Sequence, residues 1–584
     1  MKLNGAQLIV KALEAEGVTH GFGIPGTHNI ELYDALAESD TFESILVTDE
    51  QSASFMADGY ARASGKLAVV NVVPGAGLTH AMSGIAEAYM DCVPMLVLAC
   101  GIRQDTGAAY QLHDIDQVSV ARPVVKKVYQ PRTHKELYRM IREACHVALS
   151  APAGPTLVEV PVNLYLFTDE VGPSDLEFHF TESLPRVDVA QIEKIARLIN
   201  ESESVAIYAG SGAQHAGAVL LDLAEKIDAV VYTTISGKGV FPEDHPRFAW
   251  NVMGPGSPKE IRAIEDGLDC LIAVGCRFGE VATASYGNRP PEKLVHIDID
   301  ASVFHKNFPA ELTLQADARE ALEALIASKI LQKKPAKTQR LVDLAHARED
   351  VRKEQSAVAK DSTKVSPHAF LEALQKTFGP DAAYVVDSGN GMFIAMENLR
   401  LTRPYSYLGP VDYSCMGYSV PAAIGAKLAC PDRPVIGLIG DGAFLMTGME
   451  LLTAENYGVP ACFFILRDGE LAQIAQFQRK SLNRETLTHL FELNFSHLAK
   501  AVGMNYITLK TNGDIAGVLS EVSSLTSKGK PVLVEVNIDY SQSTYFSAGV
   551  IKTNFLRFPW KDRFRLVGRV VKRKAAGVFA GSSR

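Results

Sequence analysis

Short apolar runs, bounded by glycine or polar turns and separated by amphipathic stretches, recur along the chain in three blocks. HGFGIPG, LAVVNVV and MLVLAC mark the first block. SVAIYAG, AVVYTT, CLIAVGC and LVHIDID mark the second, and AAYVVDSG, PVIGLIGDG, ACFFILRD and PVLVEVNID the third. Strand-length apolar runs alternating with helical spacing predict parallel α/β sheets. The expected fold is therefore α/β, with three doubly wound parallel-sheet domains over residues 1–180, 188–330 and 366–545. The irregular TESLPRVD near 181–190 reads as a linker. Residues 331–365 are charged and poor in strand formers, but LVDLAHA keeps one apolar face, so they read as an exposed helical connector.

The third block is followed by a different text, residues 546–584. From 551 onward it carries ten Lys or Arg against one Asp, interleaved with Trp560, Phe564, Leu566, Val567, Val570 and Val571. Its leading reading is a C-terminal helix packed on a neighbouring domain or subunit. The second is a basic amphipathic segment making peripheral membrane contact.

At 584 residues the chain exceeds one hydrophobic core. A net charge of −9 leaves no footprint for wholesale nucleic-acid binding. The eight cysteines form no CxxC pairs, which points to reduced thiols and a cytoplasmic protein. MKLNGAQLIVKALEAEGV is too polar for a secretory core and reads as an amphipathic helix. No apolar run approaches the roughly 18 residues that span a bilayer.

Candidate chemistry gathers in the third block. PVIGLIGDGAFLMTGMELL reads as an apolar strand ending in Gly440-Asp441-Gly442, with a helix opening at about Thr447. Backbone N–H groups at such a tip can approach an anion, and Asp441 can hold a cation that bridges phosphates. Alone, a glycine-flanked Asp after a strand is better explained by a plain turn. The next strand, FFIL, breaks into Arg467-Asp468-Gly469-Glu470, and Asp468 follows Asp441 by 27 residues. That is about one strand–helix–strand unit, so both carboxylates are expected at the carboxyl edge of neighbouring parallel strands, where such sheets bind ligands.

GDG followed by a second oxygen ligand at the next strand end resembles the thiamin-diphosphate motif of the pyruvate oxidase, decarboxylase and acetolactate synthase superfamily. The likeness spans about residues 1–545 and is closest to the acetolactate synthase large subunit group. It implies pyrimidine-binding, central and diphosphate-binding domains, in that order. In the family the motif usually ends in Asn-Asn; here Arg467-Asp468 stands there. The implied magnesium ligands are Asp441, Asp468 and the backbone carbonyl of Glu470.

VTDEQSASFMADGYARASGK resembles the segment whose glutamate hydrogen-bonds the aminopyrimidine and promotes its imino tautomer, which places that residue at Glu50. SCMGYSVPAAIGAKLA resembles the segment that bends the cofactor. Met416 would be the apolar wedge, and the Ser414 carbonyl and Met416 N–H would bind the pyrimidine. VVDSGNGMF resembles a diphosphate loop, with Gly389, Asn390 and Gly391 as contacts, joined by the N–H groups of Gly442 and Ala443. The resemblance further implies a homodimer or homotetramer with active sites at subunit interfaces.

The implied reaction is decarboxylation of pyruvate or another small 2-oxo acid, with the enamine ligated to a second carbonyl. Release of the aldehyde, and C–C hydrolysis of a diketone, stand as alternatives, and a catalytically inactive regulatory subunit as the non-enzyme one. FGIPGTHNIELYDAL and YQLHDIDQ depart from the synthases and resemble decarboxylases of amino-acid-derived 2-oxo acids. His28 and His113 are therefore candidates for proton transfer, with helix capping and a solvated loop as their plainer readings. Gln111 is a candidate to position a substrate carboxylate or acceptor carbonyl, and Thr27 and Phe477 to shape the substrate pocket. FAD is not favoured: AWNVMGPGSP and VGCRFGEVATAS match the flavin-contact segments only loosely.

Overall fold

The computed structural model of the protein describes residues 1–181, 184–356 and 363–580, with side chains to residue 574. Three six-stranded parallel sheets follow one another along the chain. Strands His20–Gly23, Glu43–Leu46, Val69–Val72, Met95–Gly101, Lys127–Tyr129 and Pro155–Pro161 build the first, in spatial order 2-1-3-4-6-5. The middle sheet holds Val205–Ala209, Val230–Thr233, Phe248–Asn251, Cys270–Val274, Lys293–Asp298 and Leu312–Gln315, in order 3-2-1-4-5-6. Strands Ala383–Val386, Tyr407–Leu408, Val435–Gly440, Cys462–Arg467, Asn505–Leu509 and Val532–Asn537 build the third, which repeats the order of the first. Central strands such as Val69–Val72 and Val205–Ala209 are buried along their whole length, as expected where helices cover both faces of a parallel sheet.

In the first and third sheets the order reverses beside the first strand. A crevice opens there at the carboxyl ends. One crevice receives the loops that follow Gly23 and Val72, the other those that follow Val386 and Gly440. The strand tip at Gly440 differs from expectation: a helix begins at once and runs Asp441–Thr447, instead of opening near Thr447. Glycine lowers helix propensity, but burial of Ala443 and Phe444 against the sheet overrides it.

The first and third domains share one apolar core, in which Phe55 and Met56 meet Val420 and Ile424. The helices Glu50–Ser64 and Ser419–Ala429 cross there at two glycines. A Cβ at Gly59 would lie 2.2 Å from the Ala422 carbonyl oxygen, and one at Gly425 2.0 Å from that of Met56. Arg62 pairs with fully buried Asp58 at 2.6 Å along the same seam, and the Tyr418 hydroxyl donates to Asp58. Because backbone cannot retreat from an added methyl, Gly425→Ala is expected to cost about 1–3 kcal/mol. A urea midpoint equal to that of the unsubstituted protein would show that the crossing gives way.

The connector contains the helix Thr338–Ser356, which buries Leu344, Ala347 and Val351; its residues 357–362 lie outside the described ones. The C-terminal segment forms helices Tyr545–Arg557 and Trp560–Ala580. The first packs on the middle domain, where Arg557 donates to the Ser285 carbonyl (3.1 Å). The second touches the third domain through Arg573, which donates to the Leu482 carbonyl (2.7 Å), and leaves Trp560, Phe564, Val567 and Val571 exposed. Among the described residues no helix is long and apolar enough to cross a membrane.

Candidate active site

Strands Val435–Gly440 and Cys462–Arg467 pair in parallel with Gly440 opposite Leu466, so Asp441 and Asp468 leave the sheet side by side. One oxygen of Asp441 accepts the N–H groups of Asp468 (3.2 Å) and Gly469 (2.8 Å), and the other that of Gly442 (3.0 Å). Burial raises the Asp441 pKa, and these three amides oppose the rise. Asp468 is pushed up to about 7, first by burial, then by the charges of Asp441 and Glu470. A buried and a half-buried carboxyl that resist ionising together are a fitting donor set for a hard divalent cation, whose charge removes the conflict.

Glu470 behaves differently. Its side chain turns to Arg479, and its carbonyl already accepts the Ala472 N–H at 2.8 Å, leaving one lone pair for a metal. Arg467 does not balance the carboxylate pair directly: it is ion-paired to Glu535 on the adjacent strand.

The loop after Ala383–Val386 faces the same edge. Gly389 has φ +117, a conformation that a Cβ would strain, and it opens the helix Asn390–Asn398. Asn390 is buried, and its side-chain amide nitrogen has no hydrogen-bond partner. Such a donor at the same sheet edge as a pair of carboxyls fits an anion bridged to them by a cation. The Gly442 N–H is spent on Asp441, and a Cβ on Gly442 would lie 2.7 Å from Leu471.

Asp387 is an organising residue that the sequence reading missed. It is fully buried, and its two oxygens accept the N–H groups of Gly417 (2.9 Å) and Ser419 (2.8 Å). It thereby pins the loop that carries Ser414 and Met416 to the end of the strand. Ser414 sits in left-handed conformation (φ +66), and its hydroxyl meets that of Ser388 at 2.7 Å, tying the two loops together. Its signal in the sequence is its place in VVDSGNGMF, as an Asp directly after an apolar run.

The first domain contributes the other half. Glu50 is the first residue of its helix, capped by Asp49, whose side chain accepts the Gln51 N–H at 2.7 Å. One Glu50 oxygen is 3.5 Å from His80 Nδ1, and the other would lie 3.2 Å from a Cβ on Gly77. Val73 fills the space beside Gly77 and Gly26, so the Glu50 carboxyl and the loop of Thr27 and His28 share one crevice.

His28 and His113, 85 positions apart, stand edge to face with ring centroids 5.4 Å apart. Burial, and secondarily the charge of His113, lower the His28 pKa, favouring the neutral imidazole. His113 has φ +66, and its carbonyl closes over Gly75. Buried Gln117, the last residue of YQLHDIDQ and given no role there, fixes that turn: it accepts the Gly75 N–H (3.0 Å) and donates to the Cys100 carbonyl (2.7 Å). Gln111 instead turns its amide to its own loop, donating to the carbonyls of Arg103 (2.9 Å) and Ala108 (3.3 Å). Phe477 is half-buried on the helix Ala472–Leu482.

Comparison with known proteins bears on both halves. Residues 3–120 match the model of the thiamine pyrophosphate enzyme N-terminal TPP binding domain, 192–325 its central domain, and 387–536 its C-terminal TPP binding domain. The chain is 32% identical over 566 residues to a probable acetolactate synthase large subunit of Methanocaldococcus jannaschii, covering 93% of each. It is 29% identical over 552 residues to the acetolactate synthase isozyme 3 large subunit of Escherichia coli, covering 93% of this chain and 96% of that one. The acetolactate synthase large subunit of Haemophilus influenzae is 28% identical over 556 residues, with the same coverage.

Proposed function

The chain belongs to the thiamine pyrophosphate enzyme family, and from that membership we propose a magnesium-assisted decarboxylation of pyruvate or another small 2-oxo acid, followed by joining of the remaining fragment to a second carbonyl. The observation that carries the reading is the Asp441–Asp468 carboxyl pair at the same sheet edge as the unpartnered amide of Asn390. Likeness to acetolactate synthases over 93% of the chain supports the ligation step.

When bound, thiamin diphosphate supplies the electron sink that lets carbon dioxide leave a 2-oxo acid. Asp441, Asp468 and the free lone pair of the Glu470 carbonyl would hold magnesium. Gly389, Asn390, Gly391 and Ala443 would face the diphosphate, and Gly442 would do so by giving up its bond to Asp441. Met416 would keep the two rings apart, with the Ser414 carbonyl and Met416 N–H on the pyrimidine. Glu50 would exchange a proton with the pyrimidine ring nitrogen. Both ligation and aldehyde release are redox-neutral, so the proposed chemistry uses no flavin.

The sites are proposed to lie between subunits of a homodimer or homotetramer, Glu50 of one subunit facing the Asp441 loop of another. Exposed Leu445, Met446 and Met449, directly after Asp441, are the kind of apolar surface that an interface covers.

One observation favours a second outcome. The His28–His113 pair places a neutral imidazole beside the crevice, where it can relay a proton and release an aldehyde instead of a ligation product. The test is product analysis with a panel of 2-oxo acids. Carbon dioxide accompanied by acetolactate from pyruvate is the expected result. Aldehyde alone establishes the second outcome, and His28→Ala is then expected to cut aldehyde formation severalfold. No turnover of any 2-oxo acid would overturn both.

A further inference from the structure

A second buried polar group at the same edge is without a partner. Tyr540 follows the strand Val532–Asn537, the neighbour of Cys462–Arg467 on the side away from Asp441. Its backbone is held in place: the Gln476 side chain donates to the Tyr540 carbonyl (2.9 Å), and the flanking Asp539 N–H donates to the Val365 carbonyl (2.9 Å). The phenol is thereby fixed with its hydroxyl buried and unbonded.

That hydroxyl points at the cofactor edge. It would lie 3.6 Å from a Cβ on Gly391, in the diphosphate loop, and is near enough to Asp468 and Asp441 for both charges to act on it. A core tyrosine with no ligand to meet would be better replaced by phenylalanine, since an unpaired buried hydroxyl costs stability. Two orphaned donors, Asn390 and Tyr540, thus lie on either side of Gly391, the first next to it in the chain and the second facing it.

We propose that the Tyr540 hydroxyl is a further hydrogen-bond donor to the magnesium-diphosphate group, paired with Asn390 across the Gly391 backbone. The inference rests on the cofactor reading above and adds a residue to it.

Calorimetric titration of cofactor-free protein with thiamin diphosphate in excess magnesium tests it. Tyr540→Phe is expected to raise the Kd about tenfold, the effect of one hydrogen bond to a charged acceptor. It should weaken inorganic pyrophosphate, used with magnesium as a second probe, by a similar factor. The melting temperature of the cofactor-free variant should be equal or higher, because no bond is lost. An unchanged Kd for thiamin diphosphate overturns the inference, as does a lowered melting temperature with unchanged Kd, which would mark a structural hydroxyl. If the unsubstituted protein itself binds no thiamin diphosphate, the cofactor reading fails and the inference with it.

Discussion

Glu50→Gln is expected to lower turnover by about 10²–10⁴-fold, the range that a positioned acid–base group contributes. Glutamine keeps the shape and the hydrogen-bonding reach of the side chain but cannot take up or return a proton. Two features of the structure make this a clean substitution. The capping bond that starts the helix comes from Asp49, not from Glu50, so the helix keeps its N-terminus. The helix is also anchored far from Glu50, at the Gly59–Gly425 crossing and the Asp58–Arg62 pair. Affinity for thiamin diphosphate should therefore stay within about tenfold of the parent, while deuterium exchange at the thiazolium C2 of the bound cofactor slows sharply. Equal exchange rates in parent and variant would remove Glu50 from the chemistry.

The residues legible in the sequence are those whose role follows from position on a sheet. The 27-residue offset alone places Asp441 and Asp468 on adjacent strand ends, and the structure has them there, in contact through backbone amides. Alternation of apolar runs likewise yields the three parallel sheets. What escaped sequence reading is set by contacts between distant segments. Asp387 matters because amides 30 and 32 residues later fold onto its carboxyl. Gln117 matters because it spans 42 residues to Gly75 and 17 to Cys100. Both stand in stretches that resemble family segments, VVDSGNGMF and YQLHDIDQ, but nothing local announces the distant amides and carbonyls they hold. The misplaced helix start at Asp441 has the same origin: local propensity favours a turn at Gly-Asp-Gly, and tertiary burial selects a helix.

Gln111 shows the converse. Its residue type suits substrate recognition, yet its amide satisfies carbonyls of a loop that would otherwise leave them to solvent. His28 and His113 stand out through two separate segments that resemble decarboxylases, which says nothing of their distance in space. Only the tertiary fold, in which the segment after Gly101 folds back over Gly75 beside the loop after Gly23, brings them together.

Asp468→Ala is expected to weaken magnesium-dependent binding of thiamin diphosphate by on the order of 100-fold or more, since even partners one shell out from a metal change affinity by roughly 10–100-fold. Asp468→Asn should retain binding, because an amide oxygen can still meet the cation and the net charge facing the diphosphate becomes more positive. The two variants also differ in pH dependence. Burial, then Asp441 and Glu470, hold the Asp468 carboxyl near a pKa of about 7 in the metal-free protein. Below that pH the carboxyl is protonated and must release the proton for magnesium to bind; above it no proton competes. Apparent affinity of the parent should thus fall up to about tenfold per pH unit as pH drops below about 7, and level off above it. Asp468→Asn has no such proton to lose, so its affinity should follow a shallower slope over the same range. Fluorescence titration with magnesium at fixed thiamin diphosphate, repeated from about pH 5.5 to 8, reads both effects. Parallel pH profiles for the parent and the asparagine variant would show that the Asp468 carboxylate does not meet the cation.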